Sequence, residues 1–294
     1  MSLFEYIEIY KEYSKSNKAK STYERELDII KPIKRLFGNL PIRKMDKYLI
    51  ESYKTKRLKD GLKPATTNRE LRLISNMLNK AIEWNFLINN PFVGITFLKS
   101  NHVPVKFLGV EEIDKLVGFS SMWLRPILIV LRNSGMRTHE LLNLKFSDID
   151  FERKTMIVRS LKTNSFRVIP MNQELFDTLV WLRNNCCHPN TNKILPRADH
   201  QKVYVFCKLD GNKPDSIKTS FNKACRKAGL KANPHMLRHS FASHLIMNGV
   251  DIVTVKELLG HSQISTTMIY AHLSPSYKAN TVEKLPWIGK GKFL

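Results

Sequence analysis

Apolar residues recur every three or four positions through residues 1 to about 95, the period of helices with one buried face. Phe4, Ile7 and Tyr10 make the first stripe. A second helix is predicted from about Thr22 to Phe37, punctuated by Gly38 and Pro41. A third covers about Asp46 to Lys59 and stops at Asp60-Gly61. A fourth begins near Thr66 and carries Leu71, Ile74, Leu78, Ile82 and Trp84, until Asn89-Asn90-Pro91 ends it. These four or five helices form a first unit. From about Ile95 to Lys106 the period is lost, and Ser100, Asn101 and Pro104 mark a linker.

A second unit follows. It opens with a short helix over Val110 to Val117 and a strongly apolar one around Trp123 to Asn133. Thr155 to Ser160 and Phe166 to Pro170 read as two strands joined by a turn at Leu161 to Ser165. Further helices are expected at about Leu175 to Asn184, Ser216 to Ala228, Pro234 to Asn248, Ile252 to Leu259 and Ser265 to His272. Gly229, Gly249 and Gly260 stand where helix C-caps belong. The expected fold is mainly α. Residues 1–95 are a helical domain, 96–106 a linker, and 107–294 a mostly helical domain with a small antiparallel β-sheet.

Charge sharpens this picture. The 294 residues hold 48 Lys and Arg against 26 Asp and Glu, a formal net charge of +22. Nucleic acid is the polyanion that such an excess best fits, because phosphate contacts supply most non-specific affinity. A basic solubilising surface or a lysine-rich genome gives the same count. Between Arg43 and Arg72, ten Lys or Arg face four acids. That stretch reads equally as a DNA-facing side or a solvated one. Hydrophobic residues, at 43%, suffice for a core.

The longest apolar stretch, Pro126 to Leu131, falls far short of the ~20 residues of a membrane span. The amphipathic N-terminus carries Glu5, Glu8 and Glu12 and lacks the pattern of a secretory signal. Cys186, Cys187, Cys207 and Cys225 form no CxxC pair, and His188 and His200 fit no zinc spacing. Free thiols in a reducing cytoplasm are expected.

Four short segments contain groups able to act on a phosphate. In Pro234-His235-Met236-Leu237-Arg238-His239, His235 and Arg238 share one face at a helix start, where free backbone amides add positive potential. Singly, His235 reads as a cap and Arg238 as a partner of a surface carboxylate. In Leu258-Leu259-Gly260-His261-Ser262, Gly260 ends a helix and His261 opens a turn, and Tyr270 follows on the next helix. Singly, these are a turn residue and a core tyrosine. In Ser134-Gly135-Met136-Arg137, Gly135 breaks the apolar helix and Arg137 follows at a turn, where a salt bridge with Glu140 is the plain alternative. Lys162 lies in the hairpin turn, with Thr163 and Arg167 beyond it, and such a lysine is usually just solvated.

The ordered combination of Arg, Lys, His-x-x-Arg, His and Tyr resembles the tyrosine recombinase, or phage integrase, family across nearly the whole chain. The matching strings are SGMRTHELLNLKFSDID, LKTNSFRVIP, HMLRHSFASHLIMNG and LLGHSQISTTMIYAHL. Thr138 and His139 depart from the family's usual small or varied residues there, without removing a catalytic group. The resemblance implies that residues 1–95 are a core DNA-binding (SAM-like) domain and 107–294 the catalytic domain with a C-terminal tail.

It also implies the chemistry. Arg137 and Arg238 clamp the scissile phosphate, and His261 adds a hydrogen bond to it. His235 accepts or orients the proton of Tyr270. Lys162 protonates the leaving 5′ oxygen. Tyr270 is the nucleophile that forms an O-(3′-phospho-DNA)-tyrosine intermediate. The ester stores the bond energy, so no ATP, cofactor or metal is implied.

Two rounds of strand exchange through a Holliday junction complete recombination, in integration, excision or dimer resolution. The implied partner is double-stranded DNA with a specific recombination site, bound by a homotetramer or by a heterotetramer with a related recombinase. The implied place is the cytoplasm, at the nucleoid. Because the helical unit starts almost at residue 1, a simple Xer-like enzyme without an arm-binding domain is expected. The tail around Leu285, Pro286, Trp287 and Ile288 would dock on a neighbouring protomer or else fray. Two other functions fit the same scaffold: DNA relaxation of the type IB topoisomerase kind, and non-catalytic DNA binding.

Overall fold

The computed structural model describes residues 1–99, 104–160, 165–187, 194–199 and 203–274. Its internal contacts divide the chain into two units, Met1–Val103 and Pro104–Leu294.

The first unit is four helices. Helix α1 (Leu3–Asn17) starts at a capping box: the Ser2 hydroxyl accepts the Glu5 amide at 3.3 Å, and the Glu5 carboxylate accepts the Ser2 amide at 2.7 Å. Helix α2 spans Lys20–Phe37 and tolerates Pro32 within it. Asp46 is the N-cap of α3 (Lys47–Lys59), accepting the Leu49 amide at 2.8 Å. Helix α4 (Pro64–Glu83) has proline in its first turn, where φ is already suitable and no amide is needed. Trp84, expected inside this helix, is instead its C-cap. The core joins Tyr6, Ile7 and Tyr10 of α1 to Ile33, Ile50, Leu71, Ile74 and Leu78; of the first stripe read from the sequence Ile7 and Tyr10 are buried, while Phe4 lies at the edge and Tyr6 takes the core position.

A charged group is buried here too. The Glu70 carboxylate accepts both Nε and Nη2 of Arg57, at 2.7 and 2.6 Å, and the Tyr53 hydroxyl at 2.8 Å. It ties α4 to α3. Removing one partner of a buried pair leaves the other's desolvation uncompensated. Glu70→Ala is expected to destabilise this unit by roughly 3 kcal/mol, read from chemical denaturation. A change below about 1 kcal/mol would mean that Asp60, 3.5 Å from Arg57 Nη1, takes over the charge.

The second unit is mostly helical with a small antiparallel sheet. Its first helices are α5 (Val110–Gly118), α6 (Leu124–Ser134) and the short α7 (Thr138–Leu142). Strands β1 (Ile149–Asp150), β2 (Thr155–Arg159) and β3 (Phe166–Pro170) form one sheet in the order β1-β2-β3. In the β2–β3 hairpin Arg159 pairs with Phe166, and the Ser160 amide donates to the Ser165 carbonyl at 2.8 Å.

Helix α8 (Gln173–Asn184) leads into a second two-stranded ribbon, β4 (Asn185–Cys187) with β5 (Ile194–Pro196), which the sequence pattern did not predict. Then come α9 (Lys218–Ala228), α10 (Pro234–Met247) and α11 (Ile252–Leu259). Helix α6 is the central element: Ile127, Leu128, Val130 and Leu131 are buried against α8, α10 and the sheet residues Met156, Val158 and Ile169.

The helix expected over about Ser265 to His272 is instead two 3₁₀ segments, Ile264–Thr266 and Met268–Leu273. Gly249 is not a C-cap; Asn248 caps α10, and Gly249 follows at φ 83°. Cys186, Cys207 and Cys225 are buried and not joined in disulfides. No helix among the described residues is long and apolar enough to cross a membrane.

Candidate active site

Two helix ends build this site. Helix α6 terminates at Gly135, which adopts the left-handed conformation at φ 60°. A side chain there would be strained and would also collide with the ring of Phe241. Helix α11 ends likewise at Gly260, φ 65°. The last carbonyls of a helix lack internal partners and carry the negative end of its dipole, so they favour cations.

Both ends hold arginines. Arg238, only 2% exposed, donates Nη1 to the Gly135 carbonyl at 2.8 Å and Nη2 to the Leu259 carbonyl at 2.7 Å. Arg167 of β3 donates Nε to the Leu258 carbonyl at 2.8 Å. A third arginine, Arg137, stands just before α7.

Glu140 bonds two of these guanidinium groups, those of Arg137 and Arg167. Its Oε1 accepts Arg137 Nη1 at 2.8 Å, and its Oε2 accepts Arg167 Nη2 at 2.7 Å and the Arg137 amide at 2.9 Å. Burial alone would raise this carboxyl, but bonds and charge from Arg167, with help from Arg137, hold it down at about 2. A lowered folded-state pKa means stability that is fully present above the ordinary glutamate value of 4.5 and lost as pH falls toward 2. The stability difference between wild type and Glu140→Gln is therefore expected to grow by about 3 kcal/mol from pH 2 to 4.5 and to level off above. Denaturant unfolding across that window measures it, and a constant difference would contradict the assignment.

Helix α10 supplies the histidines. Asn233 caps it by accepting the His235 amide at 3.0 Å, and Pro234 occupies its first turn. His235 and His239 lie one turn apart and pack edge to face, with ring centroids separated by 4.6 Å. His239 Nδ1 is 2.6 Å from the hydroxyl of Tyr270, a side chain just 1% exposed. The histidine hydrogen-bonded to the tyrosine is thus His239, one turn beyond His235. His261 follows Gly260, and its Nδ1 pairs with the Thr267 hydroxyl at 2.9 Å. Lys162, expected in the hairpin turn, lies outside the described residues, as do His188, His200 and the tail around Trp287.

The basic groups with resolved shifts in this site are all pushed toward neutrality. Burial, with the charges of Arg137 and Arg167, lowers Arg238 to about 9. Burial, then His235 and Arg238, lowers His239 to about 4. Burial and the three arginines bring His261 to about 4, and His235 is lowered by burial, Arg238 and Arg137. Tyr270 is raised to about 12 by burial, against the pull of Arg238. Glu140 pairs with two of the three guanidiniums, which leaves excess positive charge in a desolvated pocket. An anion entering there would offset the part of these shifts that the neighbouring positive charges cause.

The structure therefore gathers Arg137, His235, Arg238, His261 and Tyr270 from segments over a hundred residues apart. Sequence reasoning missed His239 and the link made by Arg167. The four-residue spacing of His235 and His239 was the available signal, since it puts both rings on one helix face.

Residues 106–276 match the phage integrase family, and residues 2–99 match the phage integrase N-terminal domain. Tyrosine recombinase XerA of Pyrococcus horikoshii is 34% identical over 196 residues, 64% of this chain and 65% of the relative, so just under two thirds of that protein's length is spanned. Tyrosine recombinase XerC of Pediococcus pentosaceus is 28% identical over 285 residues, 93% of either chain. The Tn1549 transposon integrase, solved in complex with a circular intermediate DNA, superposes with a TM-score of 0.78 at 20% identity, covering 95% of this chain and 99% of that one, which is a likeness of fold. Sequence and fold agree, and the chain belongs to the phage integrase family of Xer-like tyrosine recombinases.

Proposed function

We propose that this protein is a site-specific recombinase that cleaves and rejoins DNA through a 3′-phosphotyrosine intermediate. The observation that carries this function is the Tyr270 hydroxyl, hydrogen-bonded to His239 in a pocket whose buried Arg238 feels the charges of Arg137, Arg167 and Glu140. A phosphodiester is an anion that resists nucleophiles, so its cleavage needs charge neutralisation, an activated nucleophile and a protonated leaving group.

Arg137 and Arg238 neutralise the scissile phosphate, since guanidinium forks onto two oxygens and keeps its charge. Arg137 already turns its side chain partly outward, at 42% exposure. His261 is neutral near pH 7, and with Thr267 donating to its Nδ1, the ring proton sits on Nε2, where it serves as a donor to the phosphate. The proton of Tyr270 passes to the His235–His239 pair. Lys162 gives its proton to the departing 5′ oxygen.

The Tyr270 Oη–P bond replaces the P–O5′ bond. A 5′ hydroxyl from a partner strand later reverses the attack. No external energy source enters, because one phosphoester is exchanged for another.

Residues 1–95 serve as the core DNA-binding domain. The XerA and XerC relatives and the transposon integrase bound to DNA support duplex DNA carrying a recombination site as the partner. Four protomers on two duplexes make the working unit, as a homotetramer or with a related recombinase, in the cytoplasm where that DNA lies.

Incubation with nicked suicide duplexes drawn from DNA flanking the gene, in chelator, tests this. A protein–DNA adduct that survives denaturation is expected. Tight binding to those duplexes without any adduct would replace the proposal with a DNA-binding function.

A further inference from the structure

We infer that His239 is a catalytic residue: its Nδ1 accepts the proton of Tyr270 as the phenol attacks. This role rests on the strand-cleaving function proposed above and adds a group to it. Three observations lead there. His239 is the histidine bonded to the reacting oxygen, at 2.6 Å, a distance usual for a strong O–H donor to a good acceptor. Tyr270 is itself buried, which holds the phenol protonated and makes it the donor of that bond. His235 packs its ring edge to face against His239, fixing the orientation of the acceptor.

The step balances without any further reactant. As the Oη–P bond forms, the phenolic proton moves to His239 Nδ1, and the electron pair of the breaking P–O5′ bond leaves on the 5′ oxygen, which takes a proton from Lys162. On rejoining, His239 returns its proton to Tyr270. Its base strength is matched to the loaded site. In the free protein, burial together with His235 and Arg238 weakens the ring. A phosphate on Arg238 cancels the nearest positive charge and strengthens the acceptor just when attack becomes productive. Without DNA the phenol stays protonated and inert.

The test compares wild type, His239→Asn and Tyr270→Phe on the nicked duplexes described above, each made with an ordinary 5′ oxygen or a bridging 5′ sulfur at the scissile position. Sulfur leaves without acid assistance. Asparagine places an amide near the Nδ1 position, so it keeps a hydrogen bond to Tyr270 but takes up no proton.

His239→Asn is expected to bind the duplex as wild type does, to retain its melting temperature, and to form adduct about a hundredfold more slowly on both substrates. Wild-type adduct rates in a folded His239→Asn protein overturn the assignment, and so does a defect confined to the oxygen substrate, which would place His239 on the leaving-group side. If His239→Asn fails to fold, long-range nitrogen–proton correlation spectra of wild type and Tyr270→Phe decide: a His239 Nδ1 resonance unchanged by loss of the hydroxyl overturns the contact itself. Absence of adduct from wild type on every duplex would instead remove the recombinase function, and this role with it.

Discussion

The Tyr270→Phe protein is expected to form no covalent DNA adduct, yet to bind the same duplexes with an affinity close to that of wild type. This is the largest effect expected of any single-atom change in the molecule. The phenylalanine ring fills the same buried site, among Ala242, Ile246, Val255 and Leu259. It loses only the hydroxyl and its bond to His239. The fold should lose about 1 kcal/mol, the usual net worth of one hydrogen bond, because His239 is half-exposed enough to find water. Arg137, Arg238 and His261, proposed above to meet the phosphate, are untouched. Affinity and chemistry should therefore separate cleanly in a gel-shift assay run beside a denaturing gel.

Arg238→Lys comes second. It should slow cleavage by about a thousandfold while weakening DNA binding far less. The guanidinium bridges the Gly135 and Leu259 carbonyls and still has donors left for an anion. An ammonium is a point charge on a flexible stem and cannot span both carbonyls in one plane. Charge is lost as well as geometry. The burial that brings Arg238 to about 9 would, acting on a lysine, leave much of it neutral near pH 7. Cleavage by Arg238→Lys should consequently rise as pH falls below neutrality, unlike wild type, whose guanidinium keeps its charge across that range. Single-turnover adduct formation from pH 5.5 to 8.5 measures this. A loss under tenfold, or a parallel pH profile, would show that Arg238 acts through packing alone.

Much of the fold was legible because its helices carry one strong stripe each. Ile252–Leu259 needed no correction: Asp251 caps it and Gly260 stops it, and both signals are local. The strands Thr155–Arg159 and Phe166–Pro170 showed their alternation for the same reason. What failed was set by tertiary context. Strand β1 is two residues long, too short for any period. The segment after His261 looks helical, but Thr267 and Tyr270 are both drawn inward, to His261 and His239, and the backbone tightens to 3₁₀ to allow it.

The same holds at the site. The order of Arg137, His235, Arg238, His261 and Tyr270 was visible because each sits in a short, recognisable string. The charges that set their behaviour were less so. Glu140 was foreseen only as a partner for Arg137, whereas it also anchors Arg167, twenty-seven residues away across the hairpin. That sharing, and the helix-end carbonyls that hold Arg167 and Arg238, depend on the folded arrangement of α6, α7, α11 and β3.

The most direct test of the central claim is to identify the atom that carries the DNA. A trapped adduct digested with nuclease and trypsin should yield the peptide of residues 257–278 bearing a nucleotide. That peptide contains two tyrosines, Tyr270 and Tyr277, so fragmentation in the mass spectrometer is decisive. The modification is expected on Tyr270, through a 3′-phosphate. A nucleotide on Tyr277, or on any other side chain, would contradict the assignment of the nucleophile and the account of the pocket built around it.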